Sequence, residues 1–131
     1  PLPAGLSPGG YGVLTLHRAA NVDSRDAFDA LLRGVAGAAR LLPLAWPMHP
    51  RARNRLAEHG LAVPPGVAVL PPLPYLDFLG LLARARLVAS DSGGVQEEAT
   101  ALDLPCLTLR PSTERPVTLD AGSSRLVAAA D

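Results

Sequence analysis

The sequence contains no lysine; all 12 of its basic residues are arginine. A Walker-type phosphate loop needs its lysine, and so do Schiff-base and pyridoxal chemistries, so all three are excluded. Isoleucine is absent too, while Ala, Arg, Pro and Gly are abundant. That bias reads as the mark of a GC-rich genome rather than of function. Cys106 is the single cysteine. It sits in an apolar segment, so no disulfide can close within the chain, and a reducing, cytoplasmic setting is expected. Its expected part is that of a small buried hydrophobe. Formal charge is zero, which argues against both a nucleic-acid partner and an anionic membrane surface. No apolar run approaches the roughly 20 residues needed to span a bilayer, and no secretory signal pattern is present. The three histidines, His17, His49 and His59, lack any compact ligand spacing, so neither a metal site nor a cofactor is expected.

What is present is a single domain's length of chain, 131 residues, apolar enough for a core. Residues 1–10, Pro-Leu-Pro-Ala-Gly-Leu-Ser-Pro-Gly-Gly, have no periodicity and read as a linker. The expected domain is 11–131. Short apolar runs at 12–16, 44–48, 67–70, 87–90 and 106–109 read as strands, and a final apolar stretch occupies 126–130 after a short helix or turn. Between them the spacing predicts helices at roughly 24–42, 51–59, 75–84 and 93–102. Phe28, Leu31, Leu32, Val35 and Ala39 give the first its apolar stripe, Asn21 or Asp23 is its expected cap, and Gly60 should close the second. Strands that are apolar on both faces, alternating with helices, predict an α/β fold: a Rossmann-like, doubly wound parallel sheet.

In such a sheet ligands bind beyond the carboxyl ends of the strands. The polar clusters fall there: His17-Arg18 after the first strand, His49 after the second, Asp91-Ser92-Gly93-Gly94 after the fourth, and Arg110 with Thr113-Glu114-Arg115 after the fifth. Asp-Ser-Gly-Gly at the start of a helix suits an anion. The first-turn N–H groups have no partner inside the helix, and the macrodipole adds positive charge there. Gln96, Glu97 and Glu98 lie about one turn further in. A carboxylate would repel a phosphate, but it accepts hydrogen bonds from sugar hydroxyls. The pattern therefore suits a diphosphate at the glycines and a ribose at the acid; an ordinary helix capped by Asp91 or Ser92 is the competing reading. His17 is a candidate acid, base or phosphate donor, and Arg18 a phosphate partner or a surface charge. His49, followed by Pro50, also fits a rigid turn. Arg51, Arg53 and Arg55 read as a solvated helix face, and His59 as a favourable helix C-terminus.

Taken in order, these pieces resemble the carboxyl-terminal half of the non-hydrolysing UDP-N-acetylglucosamine 2-epimerases. The matching segments are Thr15-Leu16-His17-Arg18 with Asn21-Val22-Asp23, Pro47-Met48-His49-Pro50-Arg51, Pro72-Leu73-Pro74-Tyr75-Leu76-Asp77-Phe78, Ser90 through Ala99, and Thr113-Glu114-Arg115-Pro116. The resemblance implies the second of two Rossmann-like domains in a GT-B-type enzyme, with the active site in the cleft between them. It implies that Ser92, Gly93 and Gly94 hold the diphosphate of UDP and that Glu98 holds the ribose. By the same resemblance Arg115 helps line the UDP site and His17 is the residue here needed for activity; Arg18, beside it, is the further expected UDP contact. His49 would lie near the cleft, beside a second UDP-sugar in some members. Family chemistry is anti-elimination of UDP to a glycal and re-addition on the other face. The bases that remove the proton at C2 belong to the amino-terminal domain, which becomes the expected partner, together with the UDP-sugar and, in the family's habit, a second copy of the chain. The isolated domain is expected to bind UDP weakly and not to turn over. Ala19-Ala20 stands where the family usually has Pro-Glu, Asp103 where it has glycine, and Ser112 where asparagine is frequent. Two alternatives stay open on the residues: the donor domain of a GT-B glycosyltransferase, and a non-catalytic UDP-sugar-binding fragment.

Overall fold

The structure is a computed structural model and describes residues 6–110, 117–119 and 124–128. Seven strands form one sheet: β1 (Gly12–Thr15), β2 (Leu44–Pro47), β3 (Val67–Leu70), β4 (Leu87–Ser90), β5 (Cys106–Arg110), β6 (Val117–Leu119) and β7 (Ser124–Ala128). Their order is β3-β2-β1-β4-β5-β7-β6. All pairs are parallel except β6 with β7. The parallel, doubly covered sheet expected from the strand pattern is therefore present. The short helix or turn expected before the last strand is instead β6, an antiparallel edge strand. Three residues, Val-Thr-Leu, are too few for a period to show in the sequence.

Among the described residues five helices connect the strands: α1 (Ala19–Asp23), α2 (Arg25–Ala39), α3 (Pro50–His59), α4 (Tyr75–Ala83) and α5 (Gly93–Ala101). Each strand sends alternate side chains to opposite faces. Leu14, Leu44, Trp46 and Ala89 meet Phe28, Leu31, Leu32 and Val35 of α2 and Ala52 and Leu56 of α3. Val13, Ala45, Val88 and Cys106 meet Leu81 and Leu82 of α4 and Val95 and Ala99 of α5. Phe28 meets Trp46 edge-on, centroids 6.4 Å apart, which adds specific geometry to two of the largest buried surfaces. Leu6, within the segment read as a linker, packs against the second core.

The caps correct one expectation. The cap of α2 is Ser24, whose hydroxyl accepts from the Ala27 amide at 3.2 Å. Asn21 and Asp23 lie instead in α1, a single turn that the sequence pattern did not show. Gly60 closes α3 as expected, in the left-handed conformation at φ 70°. Asp103 does the same work after α5 at φ 56°. The Leu104 amide donates to Ala99 O at 2.8 Å and the Asp103 amide to Thr100 O at 3.0 Å, the paired bonds of a Schellman ending. This position needs a left-handed residue, which accounts for glycine in the resembling family. Aspartate is one of the few side chains that enter that region at modest cost.

Candidate functional site

The strand order reverses between β1 and β4, so the crevice beyond their carboxyl ends is the topological switch point. Two loops meet there. One leaves β1 as Leu16-His17-Arg18; the other leaves β4 as Asp91-Ser92. Buried polar groups hold them together. Thr15 donates its hydroxyl to Ser90 Oγ at 2.7 Å, and Ser90 Oγ accepts from the Ser92 amide at 3.0 Å. The Asp91 side chain is buried at 3% exposure. Its Oδ1 accepts from the His17 amide at 2.7 Å, and its Oδ2 from the Arg18 amide at 3.0 Å and Asn21 Nδ2 at 2.8 Å. Arg18 Nε donates back to the Asp91 carbonyl at 2.8 Å. A buried carboxylate needs such donors, because burial without them is costly. Asp91 is therefore neither the helix cap nor a ligand group. It fixes the His17-Arg18 loop against the start of α5.

Ser92 is the cap of α5, accepting from the Val95 amide at 3.4 Å through its hydroxyl, while the Gln96 amide donates to the Ser92 carbonyl at 3.2 Å. The amides of Gly93 and Gly94 keep no acceptor among the described residues. Nothing in the fold requires glycine at either position. Neither has a positive φ. A Cβ on Gly93 would meet nothing within 4 Å, and one on Gly94 only Ser92 Oγ at 3.7 Å. The space above this helix start is open. Glu98, half-buried in the next turn, accepts from the Tyr75 hydroxyl at 2.6 Å.

A cleft of about 270 Å³ opens beside this junction, lined by Leu16, His17, Ala19, Val22, His49, Arg51 and Ala52. His17 and His49 thus line one cleft, as their strand-end positions suggested. His49 also caps α3: its Nδ1 accepts from the Arg51 amide at 3.1 Å. That role assigns the ring proton to Nε2 and makes the rigid-turn reading of His49-Pro50 correct, alongside its place in the cleft. Arg51 and Arg53 are exposed and Arg55 is half-buried, in keeping with a solvated helix face, but Arg51 and Arg55 are paired there. Arg51 grips Asp23 with two bonds of 3.1 and 2.7 Å, Arg55 adds a third of 2.9 Å, and Arg55 also pairs with Glu58. His59, at the end of α3, brings a ring nitrogen within 3.0 Å of the Val22 carbonyl and is structural. These bonds tie α1 to α3 and so shape the cleft. Of the remaining candidates, Arg110 ends β5 in the backbone description, and Thr113, Glu114 and Arg115 lie outside the described residues. Among the described residues no cluster of His, Cys, Asp and Glu could hold a metal ion, and no helix is long and apolar enough to cross a membrane.

The hydrogen bonds from Arg51 and Arg55 hold the Asp23 carboxyl down to about 2, from an ordinary 3.8. A folded value below the unfolded one means that the stabilisation is present above pH 3.8 and is lost as pH falls toward 2. We expect an NMR titration of the Asp23 side chain to show a midpoint near 2, and Asp23→Asn to remove its share of the acid unfolding limb. A midpoint at the ordinary carboxylate value would mean that the α1–α3 tie does not hold in solution.

The UDP-N-acetylglucosamine 2-epimerase family matches residues 2–131 of this chain. The UDP-N-acetylglucosamine 2-epimerase of Methanococcus maripaludis is 41% identical over 122 residues, covering 88% of this chain and 33% of that protein. The UDP-2,3-diacetamido-2,3-dideoxy-D-glucuronate 2-epimerase of Pseudomonas aeruginosa is 38% identical over 130 residues, 98% of this chain and 36% of that protein. The crystal structure of the Methanocaldococcus jannaschii UDP-GlcNAc 2-epimerase in complex with UDP-GlcNAc and UDP matches with a TM-score of 0.77 at 38% identity, over 93% of this chain and 35% of that one. An E. coli heptosyltransferase, 20% identical with a TM-score of 0.60, shares the fold alone, and these neighbours are of the GT-B type. The chain spans about a third of the length of the curated relatives it matches. With its Rossmann-like sheet and its Asp-Ser-Gly-Gly helix start at the switch point, the chain belongs to the UDP-N-acetylglucosamine 2-epimerase family.

Proposed function

We propose that this chain is the UDP-holding domain of a 2-epimerase that interconverts UDP-N-acetylglucosamine and UDP-N-acetylmannosamine. The observation that carries the proposal is the Asp91 junction. It sets His17 and Arg18 beside a helix start whose two glycines leave open space and free amides. In this reading the diphosphate sits on Ser92, Gly93 and Gly94, with Arg18 and Arg115 as its cationic partners. The ribose sits on Glu98, and His17 stands next to the phosphates. The relatives support the nucleotide as the shared element. The M. maripaludis and P. aeruginosa proteins are named for different UDP-sugars, yet each matches most of this chain. What those substrates have in common is UDP and the acetamido group at C2, and they differ at C3 and C6 of the sugar.

In the elimination step the bond from C1 of the sugar to the diphosphate oxygen breaks, and the leaving UDP gains negative charge. Fixed amides and arginines placed at that oxygen stabilise the transition state more than the bound substrate. The proton leaves C2 to a carboxylate of a partner amino-terminal domain. This chain therefore binds the leaving group and does not by itself complete the reaction. A UDP-sugar substrate, with the single buried thiol of Cys106 pushed up to about 11 by burial, suits a cytoplasmic setting. The test is a titration of the chain with UDP by calorimetry or ligand-observed NMR. Glu98→Ala should weaken binding about tenfold or more, the scale of lost hydrogen bonds to a charged group. Glu58→Ala, on α3 and paired with Arg55, should leave binding unchanged. Equal binding by both variants overturns the ribose assignment.

A further inference from the structure

Tyr75 is the first residue of α4, and 61% of it is exposed. Three prolines in the four residues before it, Pro71, Pro72 and Pro74, stiffen its approach. Its hydroxyl crosses 23 residues of sequence to donate to Glu98 Oε2 at 2.6 Å, while Oε1 has no partner among the described residues. A phenol donating to a carboxylate at that distance is a charge-assisted bond. The seating of α4 and α5 does not need it, because Leu81 and Leu82 of α4 and Val95 and Ala99 of α5 already bury both helices in the same core. An exposed phenol that adds little to the core but seizes one oxygen of one carboxylate has a visible consequence only at that carboxylate.

We propose that Tyr75 is a positioning residue for ribose recognition: it holds the Glu98 carboxylate in one rotamer, with Oε1 left to accept from the sugar's hydroxyls. The inference rests on the reading that Glu98 takes the ribose. Glutamate has three side-chain torsions to freeze on binding, and freezing them in advance leaves less entropy to be lost when the ligand arrives. The Glu98 carboxylate, chiefly through this hydrogen bond, raises the phenol above its ordinary value. The hydroxyl therefore remains a donor throughout the neutral range.

The discriminating experiment compares UDP with 2′,3′-dideoxy-UDP, which lacks the hydroxyls that Glu98 would accept from. Affinities are measured for the chain, Tyr75→Phe and Glu98→Ala. Tyr75→Phe should lower UDP affinity about fivefold to tenfold and leave dideoxy-UDP affinity within about twofold, so that the preference for the ribose shrinks. A merely structural tyrosine would weaken both ligands alike, and that result overturns the proposal. Glu98→Ala should abolish the preference. If it does so while Tyr75→Phe keeps the full preference, the positioning role falls and the ribose assignment stands. If Glu98→Ala keeps the preference, or the unaltered chain binds neither ligand, both fall together.

Discussion

Replacing Gly94 with alanine will leave this chain as stable as before or slightly more so, and will cost it most of its affinity for UDP. The two halves of that result come from one geometric fact. Gly94 is the second residue of α5, with ordinary helical space around it: an added methyl would touch only Ser92 Oγ, at 3.7 Å. Glycine in a helix is less favourable than alanine by up to about 1 kcal/mol, because it loses more backbone freedom on folding. A sequence under pressure for stability alone would therefore not keep two glycines here. A ligand would require them, since a diphosphate must approach the amides of residues 93 and 94 to within hydrogen-bonding distance. A methyl in that path should weaken UDP binding about a hundredfold, roughly 2.7 kcal/mol. Thermal unfolding and a UDP titration of Gly94→Ala, with Gly93→Ala beside it, check both halves. Loss of binding together with loss of stability would point to a structural role for the glycines. Unchanged binding would place the diphosphate elsewhere.

The features of this protein divide by the range over which they act. Strands such as Leu87-Val88-Ala89 could be read from the sequence because a strand buried on both faces is simply apolar, and α2 because its stripe of Phe28, Leu31, Leu32 and Val35 repeats at the helical period. Gly60 could be read as a helix end because left-handed geometry selects glycine. The site was legible as a set of polar residues at strand ends, and the structure brings His17, Arg18, His49 and the Asp91–Gly94 segment to neighbouring loops. What was not legible depends on partners far apart in the chain. The turn of α1 is five residues long, too short to hold as an isolated helix; bonds from Asn21 to Asp91 and from Asp23 to α3 anchor it. Arg51 and Arg55 have the spacing of a solvated helix face, and only the fold puts Asp23 against them. Asp91 reads locally as a cap, since aspartate before a helix usually is one. Only its donors, 70 to 74 residues earlier, reveal what it does. The one clue in the sequence is redundancy: Asp91 and Ser92 are both good caps, and a helix needs one.

That redundancy makes Asp91 the residue whose loss should do most harm. Asp91→Ala would remove the acceptor for three donors at once, the amides of His17 and Arg18 and the amide group of Asn21. The site is buried, so water can replace the lost oxygens only in part. An unsatisfied buried donor costs about 1–3 kcal/mol, and with partial relaxation we expect about 4 kcal/mol in all. Asp91→Asn tests the same idea without a cavity. Asparagine keeps one oxygen, but its NH₂ must then face either the His17 amide or the pair of donors at Oδ2, and no flip avoids the conflict. We expect a loss of about 2 kcal/mol, read by urea unfolding. The effect should reach the ligand as well. With the Asp91 bonds gone, the His17-Arg18 loop is no longer fixed against the start of α5, and UDP affinity should fall about tenfold or more even where the variant is fully folded. Ser92→Ala is the contrast. It removes a cap bond of 3.4 Å, should cost about 1 kcal/mol, and leaves the β1 and β4 loops joined. If Asp91→Asn proves as mild as Ser92→Ala in stability and leaves UDP binding unchanged, the two loops are held by something other than this carboxylate.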